Sequence, residues 1–110
     1  MQTVRKIFAE LVRSRNPGTG YIVTANNRIA GDDYPHYIAL HYSPDYRARR
    51  IKARLEALDG ATVEDMAAIH TEAVSIPAQV YTALLLGVTP EDKASALALE
   101  KLKDWDGSMA

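Results

Sequence analysis

The sequence predicts an α+β fold that is mostly α-helical, in which a short N-terminal β segment precedes about three helices. Three observations support this class. A β-branched and aromatic run near the N-terminus is bounded by turn residues. Helix-start signals recur from residue 43 onward. The content of 47% hydrophobic and 25% charged residues is typical of globular chains.

The length of 110 residues suits a single domain, or a fragment of one, over residues 1–110. We divide it into a lead-in at residues 1–15, a strand and turn segment at residues 16–42 and a helical segment at residues 43–107. No linker or internal repeat separates these segments.

The composition excludes several classes of protein. A net charge of −1 predicts neither a nucleic-acid partner nor a membrane partner. The absence of cysteine excludes disulfides and thiolate metal sites. No apolar run approaches the roughly 18 residues of a membrane span. The first ten residues contain Glu10 and lack a long apolar core, so they are not a secretory signal, and the chain as given would stay in the cytoplasm.

The lead-in has apolar residues at helical spacing over residues 4–12, which predicts a short amphipathic helix. An extended approach to Asn16 is the alternative.

The next segment combines turn residues with one strand-like run. Turn residues at 16–20 precede the run at residues 21–25, which predicts a strand. Residues 36–42 alternate less regularly and are either a second short strand or irregular. The run ends in Asn26 and Asn27. An amide there could donate to an oxyanion in a cleft, but Asn after a strand more commonly forms a turn, because it tolerates left-handed dihedrals.

The first predicted helix has a start signal in Ser43, Pro44 and Asp45, which supply an N-cap, a proline at the first position and an acid in the first turn. Gly60 is placed to end it. Its apolar stripe consists of Ile51, Leu55 and Leu58.

The later helices have clear start signals as well. Thr62 and Asp65 predict a capping box for a second helix, which Pro77 should kink or break. An apolar run at residues 80–86 stops at Gly87. Residues 89–92 cap a third helix, whose apolar face contains Ala94, Leu97, Ala98, Leu102 and Trp105.

A basic cluster lies on the first predicted helix. The basic helix 46–58 could track phosphates or bind a protein, so a non-catalytic interaction or nucleic-acid-binding module is our alternative function. Because the basic residues spread around the helix and acids follow closely, we favour a solvated face for four of them: Arg49, Arg50, Lys52 and Arg54.

The histidines do not indicate a metal site. His36 and His41 do not share a helical face, and Asp32 and Asp33 are typical turn residues. We therefore predict no metal and no cofactor.

Several short motifs occur together in one order. They are Asn16-Pro17, Gly20-Tyr21-Ile22, Asn26-Asn27 and Asp33-Tyr34-Pro35. This order resembles the β subunit of the penicillin acylase (penicillin amidase) family of N-terminal nucleophile hydrolases. The resemblance covers residues 16–107, which correspond to a small part of a full acylase. It implies that this chain is a piece of that larger fold.

The resemblance also implies roles for three residues. Asn26 matches the asparagine of the oxyanion hole, and Arg47 matches an arginine that orders the active site. Asn27 is expected to hold the turn. The implied activity is hydrolysis of linear N-acyl amide bonds, for example in a β-lactam or an acyl-homoserine lactone. Full-length members are usually periplasmic or secreted.

The catalytic nucleophile of such enzymes is a Ser, Cys or Thr at the N-terminus of a processed subunit. Here Met1 and Gln2 stand in that place, so we predict that the chain alone is inactive. The expected partners are the remainder of an acylase polypeptide or a second copy of the chain, since strands cut from a larger sheet leave open edges.

Overall fold

The computed structural model describes residues 9–109. Regular structure within them is almost entirely helical, as predicted. The helices are α1 (Tyr46–Glu56), α2 (Val63–His70), α3 (Ile76–Leu86) and α4 (Lys93–Leu102).

The chain divides into two compact units, Met1–Ala57 and Leu58–Ala110. The first unit contains the irregular segment and α1. The second unit contains α2, α3 and α4. That the whole chain forms one domain stays a prediction.

The predicted strand at residues 21–25 is absent, and this part of the prediction is wrong. In residues 9–109 the β structure consists of an isolated antiparallel bridge between Val74 and Ser108. Exposure nevertheless alternates along residues 21–25, with Ala25 buried, as in an extended chain. No described segment pairs with residues 21–25 to form a ladder. Residues 36–42 are irregular.

The predicted helix at residues 4–12 lies largely outside the described residues. Ala9 and Glu10 are helical, and the chain leaves the helix at Leu11.

Helix α1 begins and ends slightly inside its predicted bounds. Asp45 is its N-cap, without a capping hydrogen bond from its side chain. The helix ends at Glu56, before Gly60, whose φ of 78° places it in the turn that follows. The helix starts two residues after Pro44, the predicted first position.

The capping box of α2 is confirmed. The Asp65 backbone N–H donates to Thr62 Oγ1 at 3.1 Å, and the Thr62 backbone N–H donates to Asp65 Oδ2 at 2.9 Å. The helix ends at His70, well before Pro77.

The prediction that Pro77 kinks or breaks the second helix is wrong, because that helix ends at His70 and Pro77 lies in the first turn of α3. A proline there loses no helical hydrogen bond, since the first backbone N–H groups of a helix have no intrahelical acceptor. The Ser75 hydroxyl caps this helix by accepting from the Ala78 N–H at 3.3 Å. The apolar run before Gly87 is therefore part of a separate helix, which makes four helices from residue 43 onward instead of three.

Helix α4 begins after Asp92, whose carboxylate accepts a hydrogen bond from the Ser95 N–H at 2.7 Å. This hydrogen bond lowers the pKa of Asp92 below its ordinary value. Helix α4 packs against α3.

The C-terminal loop closes the second unit on α3. The Ser75 N–H donates to the Gly107 carbonyl at 2.9 Å, and the Gln79 side chain donates to the Asp106 carbonyl at 2.7 Å. Gly107 is buried at a φ of 88°, and a Cβ atom there would lie 2.5 Å from Gln79 Cγ. Only glycine fits this position without displacing the neighbouring side chain.

Burial in the described residues is low for a chain of this length. Ala25 is the buried hydrophobic residue, and large apolar side chains such as Leu40 (75% exposed) and Tyr81 (66%) lie open to solvent. Extensive apolar exposure is typical of interaction surfaces and ligand-binding grooves. No helix in residues 9–109 is long and apolar enough to cross a bilayer.

Candidate functional site

Asn26 lies at the turn that follows the extended run. Its φ of 60° places it in the left-handed region, and its carbonyl accepts a hydrogen bond from the Ser43 N–H at 2.8 Å. This conformation costs about 1–2 kcal/mol for most residues, and asparagine is among those that adopt it most readily. These dihedrals are those of a turn residue, and the oxyanion role of the Asn26 amide stays a prediction.

The carboxamide of Asn27 bridges the backbone on either side of the Asn pair. Its Oδ1 accepts from the Ala25 N–H at 2.9 Å, and its Nδ2 donates to the Arg28 carbonyl at 3.0 Å. A net contribution of about 1 kcal/mol for each bond is comparable to the cost of the left-handed residue between them.

Arg47, in the first turn of α1, contacts the side chain of Asn26. Its Nη1 donates to Asn26 Oδ1 at 3.4 Å. A guanidinium carries only donors, so the amide atom facing it must be the oxygen. Asn26 Nδ2 consequently faces away from Arg47, and it has no hydrogen-bond partner among residues 9–109. The two residues singled out from the sequence thus lie together, 21 positions apart in the chain.

Two other basic residues of α1 have local partners. Arg49 lies 4.0 Å from Asp45, and Lys52 lies 3.7 Å from Glu56, both at (i, i+4) spacing and largely exposed. Such exposed pairs contribute little stability. This arrangement is that of a solvated helical face.

A second contact joins the irregular segment to α1. The Tyr21 hydroxyl donates to Glu56 Oε1 at 2.6 Å, which raises the pKa of Tyr21 above its ordinary value of 10.0. Tyr21 meets the end of α1, whereas Asn26 meets its beginning, so the extended run lies antiparallel to the helix. The two segments have similar lengths. The five extended residue steps from Tyr21 to Asn26 span roughly 16 Å, and the nine helical residue steps from Arg47 to Glu56 span roughly 14 Å.

Tyr34 and His36 bind residues 10–12, next to the turn in which the Tyr34 N–H donates to the Gly31 carbonyl. The Tyr34 hydroxyl donates to the Glu10 carbonyl at 3.1 Å and accepts from the Val12 N–H at 3.2 Å. His36 Nε2 lies 2.8 Å from Glu10 Oε2, and the Tyr34 and His36 rings pack edge to face. Sequence reasoning missed this cluster and the Tyr21 contact, because no local pattern relates residues 22 to 35 positions apart.

No metal site is assembled in the described residues. No group of three or more His, Asp or Glu side chains in residues 9–109 could hold a metal ion. The Ser75 hydroxyl is occupied as the cap of α3. Met1 and Gln2, at the place of the expected nucleophile, lie outside the described residues.

Comparison with known proteins assigns the chain to a family. The family model described as penicillin amidase matches residues 6–110, which include Asn26 and Arg47. Over 96 residues the chain is 42% identical to the penicillin acylase 2 proenzyme of Pseudomonas sp. (strain SE83). That match covers 86% of this chain and 12% of the relative, so the chain corresponds to a small part of a longer polypeptide. The chain belongs to the penicillin amidase family.

Proposed function

We propose that this chain is a segment of a penicillin acylase-type amidase that hydrolyses linear N-acyl amide bonds. In this proposal Asn26 supplies a hydrogen-bond donor of the oxyanion hole. The observation that carries it is the contact from Arg47 Nη1 to Asn26 Oδ1 at 3.4 Å, which directs the amide N–H group away from the helix.

Attack on an amide carbonyl places negative charge on its oxygen in the tetrahedral intermediate. A donor already aimed at that oxygen stabilises the transition state without reorganising. Arg47 assists by restraining the amide and by drawing electron density toward Oδ1, which makes the Nδ2–H group a stronger donor. The positive charge of Arg47 also favours an anion nearby.

The nucleophile comes from another part of the enzyme in this proposal. Family members use an N-terminal residue whose own amino group acts as the base, and the relative with which this chain aligns is named a proenzyme. The segment alone is therefore inactive. Its substrate in the complete enzyme is an N-acyl small molecule, and we place that enzyme in the periplasm or outside the cell, where family members usually act.

The exposed apolar surface supports the remainder of an acylase polypeptide as the partner. Tyr37 and Leu40 are exposed in the first unit, and Tyr81 and Leu84 in the second. In isolation such surface favours self-association, so we expect a concentration-dependent oligomer in sedimentation equilibrium. A monomer at all concentrations would contradict this expectation.

The test is a chimera in which this chain replaces the matching segment of the relative's acylase. The critical variant is Asn26→Gly, because glycine keeps the left-handed backbone and removes only the carboxamide. We expect kcat on an N-acyl substrate to fall by about 10²–10³-fold, as for other oxyanion donors.

The matched control is Asn16→Gly. Asn16 also has a positive φ, 48°, but has no contact with Arg47. This control should keep the kcat of the unsubstituted chimera. Full activity in Asn26→Gly, or an inactive unsubstituted chimera, would overturn the proposed function.

A further inference from the structure

We infer that Asn27 is a positioning residue for the reaction, acting through the backbone of Asn26. This inference rests on the proposed role of Asn26 and assigns a separate task to its neighbour. Arg47 orients the Asn26 amide, whereas the Asn27 carboxamide holds the Asn26 backbone in the left-handed conformation from which that amide reaches Arg47.

The two hydrogen bonds of Asn27 enclose Asn26. Oδ1 binds the N–H of Ala25 at 2.9 Å, on the N-terminal side, and Nδ2 binds the carbonyl of Arg28 at 3.0 Å, on the C-terminal side. Ala25 is 5% exposed, so the first hydrogen bond connects the turn to a buried residue. An Ala25 N–H without this acceptor would be left largely shielded from water and unsatisfied, which is unfavourable.

The other contacts of Asn26 cannot replace this bridge. Arg47 touches only the side-chain oxygen, and the Ser43 N–H binds only the carbonyl. Neither contact joins the backbone on the two sides of Asn26, as the Asn27 carboxamide does by binding the Ala25 N–H and the Arg28 carbonyl. Without the Asn27 bridge, the steric preference of an L-residue for negative φ acts unopposed. The Cβ atom of Asn26 would then point in a different direction, away from Arg47.

The acylase chimera tests this inference with graded substitutions. Asn27→Asp keeps the acceptor for Ala25 but loses the donor to Arg28, and Asn27→Leu loses both at similar volume. We expect kcat to decrease in the order Asn, Asp, Leu, with a loss of roughly 10²-fold for leucine, the size associated with a misplaced reacting group. KM should not change, since the donor acts on the transition state.

The double variant Asn26→Gly, Asn27→Leu separates positioning from a general structural role. If Asn27 acts only through the Asn26 amide, its substitution causes no further loss of kcat once that amide is gone. Losses that multiply in the double variant would overturn the inference, as would an unchanged kcat in Asn27→Leu. A collapse of kcat in Asn26→Gly with full activity in Asn27→Leu would leave the proposed function intact and reject only the role of Asn27.

A spectroscopic measurement on the 110-residue chain provides a readout independent of turnover. A residue with positive φ has a short distance between its amide and α protons, which produces a strong intraresidue NOE. We expect this NOE at Asn26 in the unsubstituted chain and its loss in Asn27→Leu. An NOE that persists in Asn27→Leu would overturn the inference.

Discussion

The helix starts of the second unit and the irregular segment of the first unit are held by different kinds of contact. In Leu58–Ala110 each helix is capped by a side chain three positions away in sequence, as in the pairs Thr62–Asp65 and Asp92–Ser95. In the irregular segment of Met1–Ala57, side-chain contacts join residues far apart, such as Tyr21 with Glu56 and Asn26 with Arg47. Helices satisfy their own backbone groups, whereas an irregular segment must obtain partners from elsewhere in the chain. The proposed catalytic asparagine lies in the irregular segment, which can hold an unusual backbone conformation.

This difference predicts that substitutions in the second unit act on stability, whereas substitutions in the first unit act mainly on the geometry of the site. The largest effect on stability is expected at the C-terminal loop. Gly107→Ala places a Cβ atom 2.5 Å from Gln79 Cγ at a φ of 88°, and it should lower the free energy of unfolding by about 2–3 kcal/mol. Urea denaturation followed by circular dichroism measures this change.

The control for that experiment is Gly18→Ala in the first unit. No atom lies within 4 Å of a Cβ placed at Gly18. The substitution should leave stability nearly unchanged or raise it slightly. Equal destabilisation by both variants would contradict the special role of Gly107.

The next largest effect is expected on kcat, from loss of the contact between Arg47 and Asn26. Arg47→Met keeps most of the side-chain volume but leaves Asn26 Oδ1 without its donor. In the acylase chimera kcat should fall about tenfold, equivalent to about 1.4 kcal/mol, because the amide gains rotational freedom. Arg49→Met is the matched control, since Arg49 pairs only weakly with Asp45 at 4.0 Å. Equal losses in the two variants would point to a general charge effect instead.

A smaller effect is expected at the start of α2. Thr62→Ala removes the hydroxyl that accepts the Asp65 N–H, and loss of a threonine cap typically costs about 1 kcal/mol. Thr89→Ala is the comparison, because Thr89 precedes α4 without capping it. A melting temperature that falls in both variants alike would argue against the specific cap.

The smallest effect is a pH dependence at Tyr21. Its hydrogen bond to Glu56 raises its folded pKa, so the stabilisation is fully present below the ordinary pKa of 10.0 and is lost as pH rises through the higher folded value. The loss of stability above pH 10 should be smaller in Tyr21→Phe than in the unsubstituted chain, whereas Tyr37→Phe, at an exposed tyrosine, should leave it unchanged. Denaturation curves at several alkaline pH values measure this loss of stability in each variant.

Part of this molecule follows from local sequence. The capping box at Thr62, the cap at Asp92 and the helix end at Gly87 were predictable because each depends on residues within one turn. Pro77 was misinterpreted because the same residue ends one helix or begins another, and the difference depends on whether a cap such as Ser75 precedes it. The family was predictable from the ordered motifs around Asn26.

Other features depend on contacts distant in sequence. β propensity at residues 21–25 predicted an extended backbone but not whether another strand would pair with it. The left-handed dihedrals of Asn26, its contact with Arg47 and the bridge formed by Asn27 depend on where α1 lies relative to the turn. Local sequence determined the helices and their ends, because their hydrogen bonds close within four residues. Only the tertiary structure decided how the Asn26 amide is oriented, because the guanidinium that orients it comes from 21 residues away.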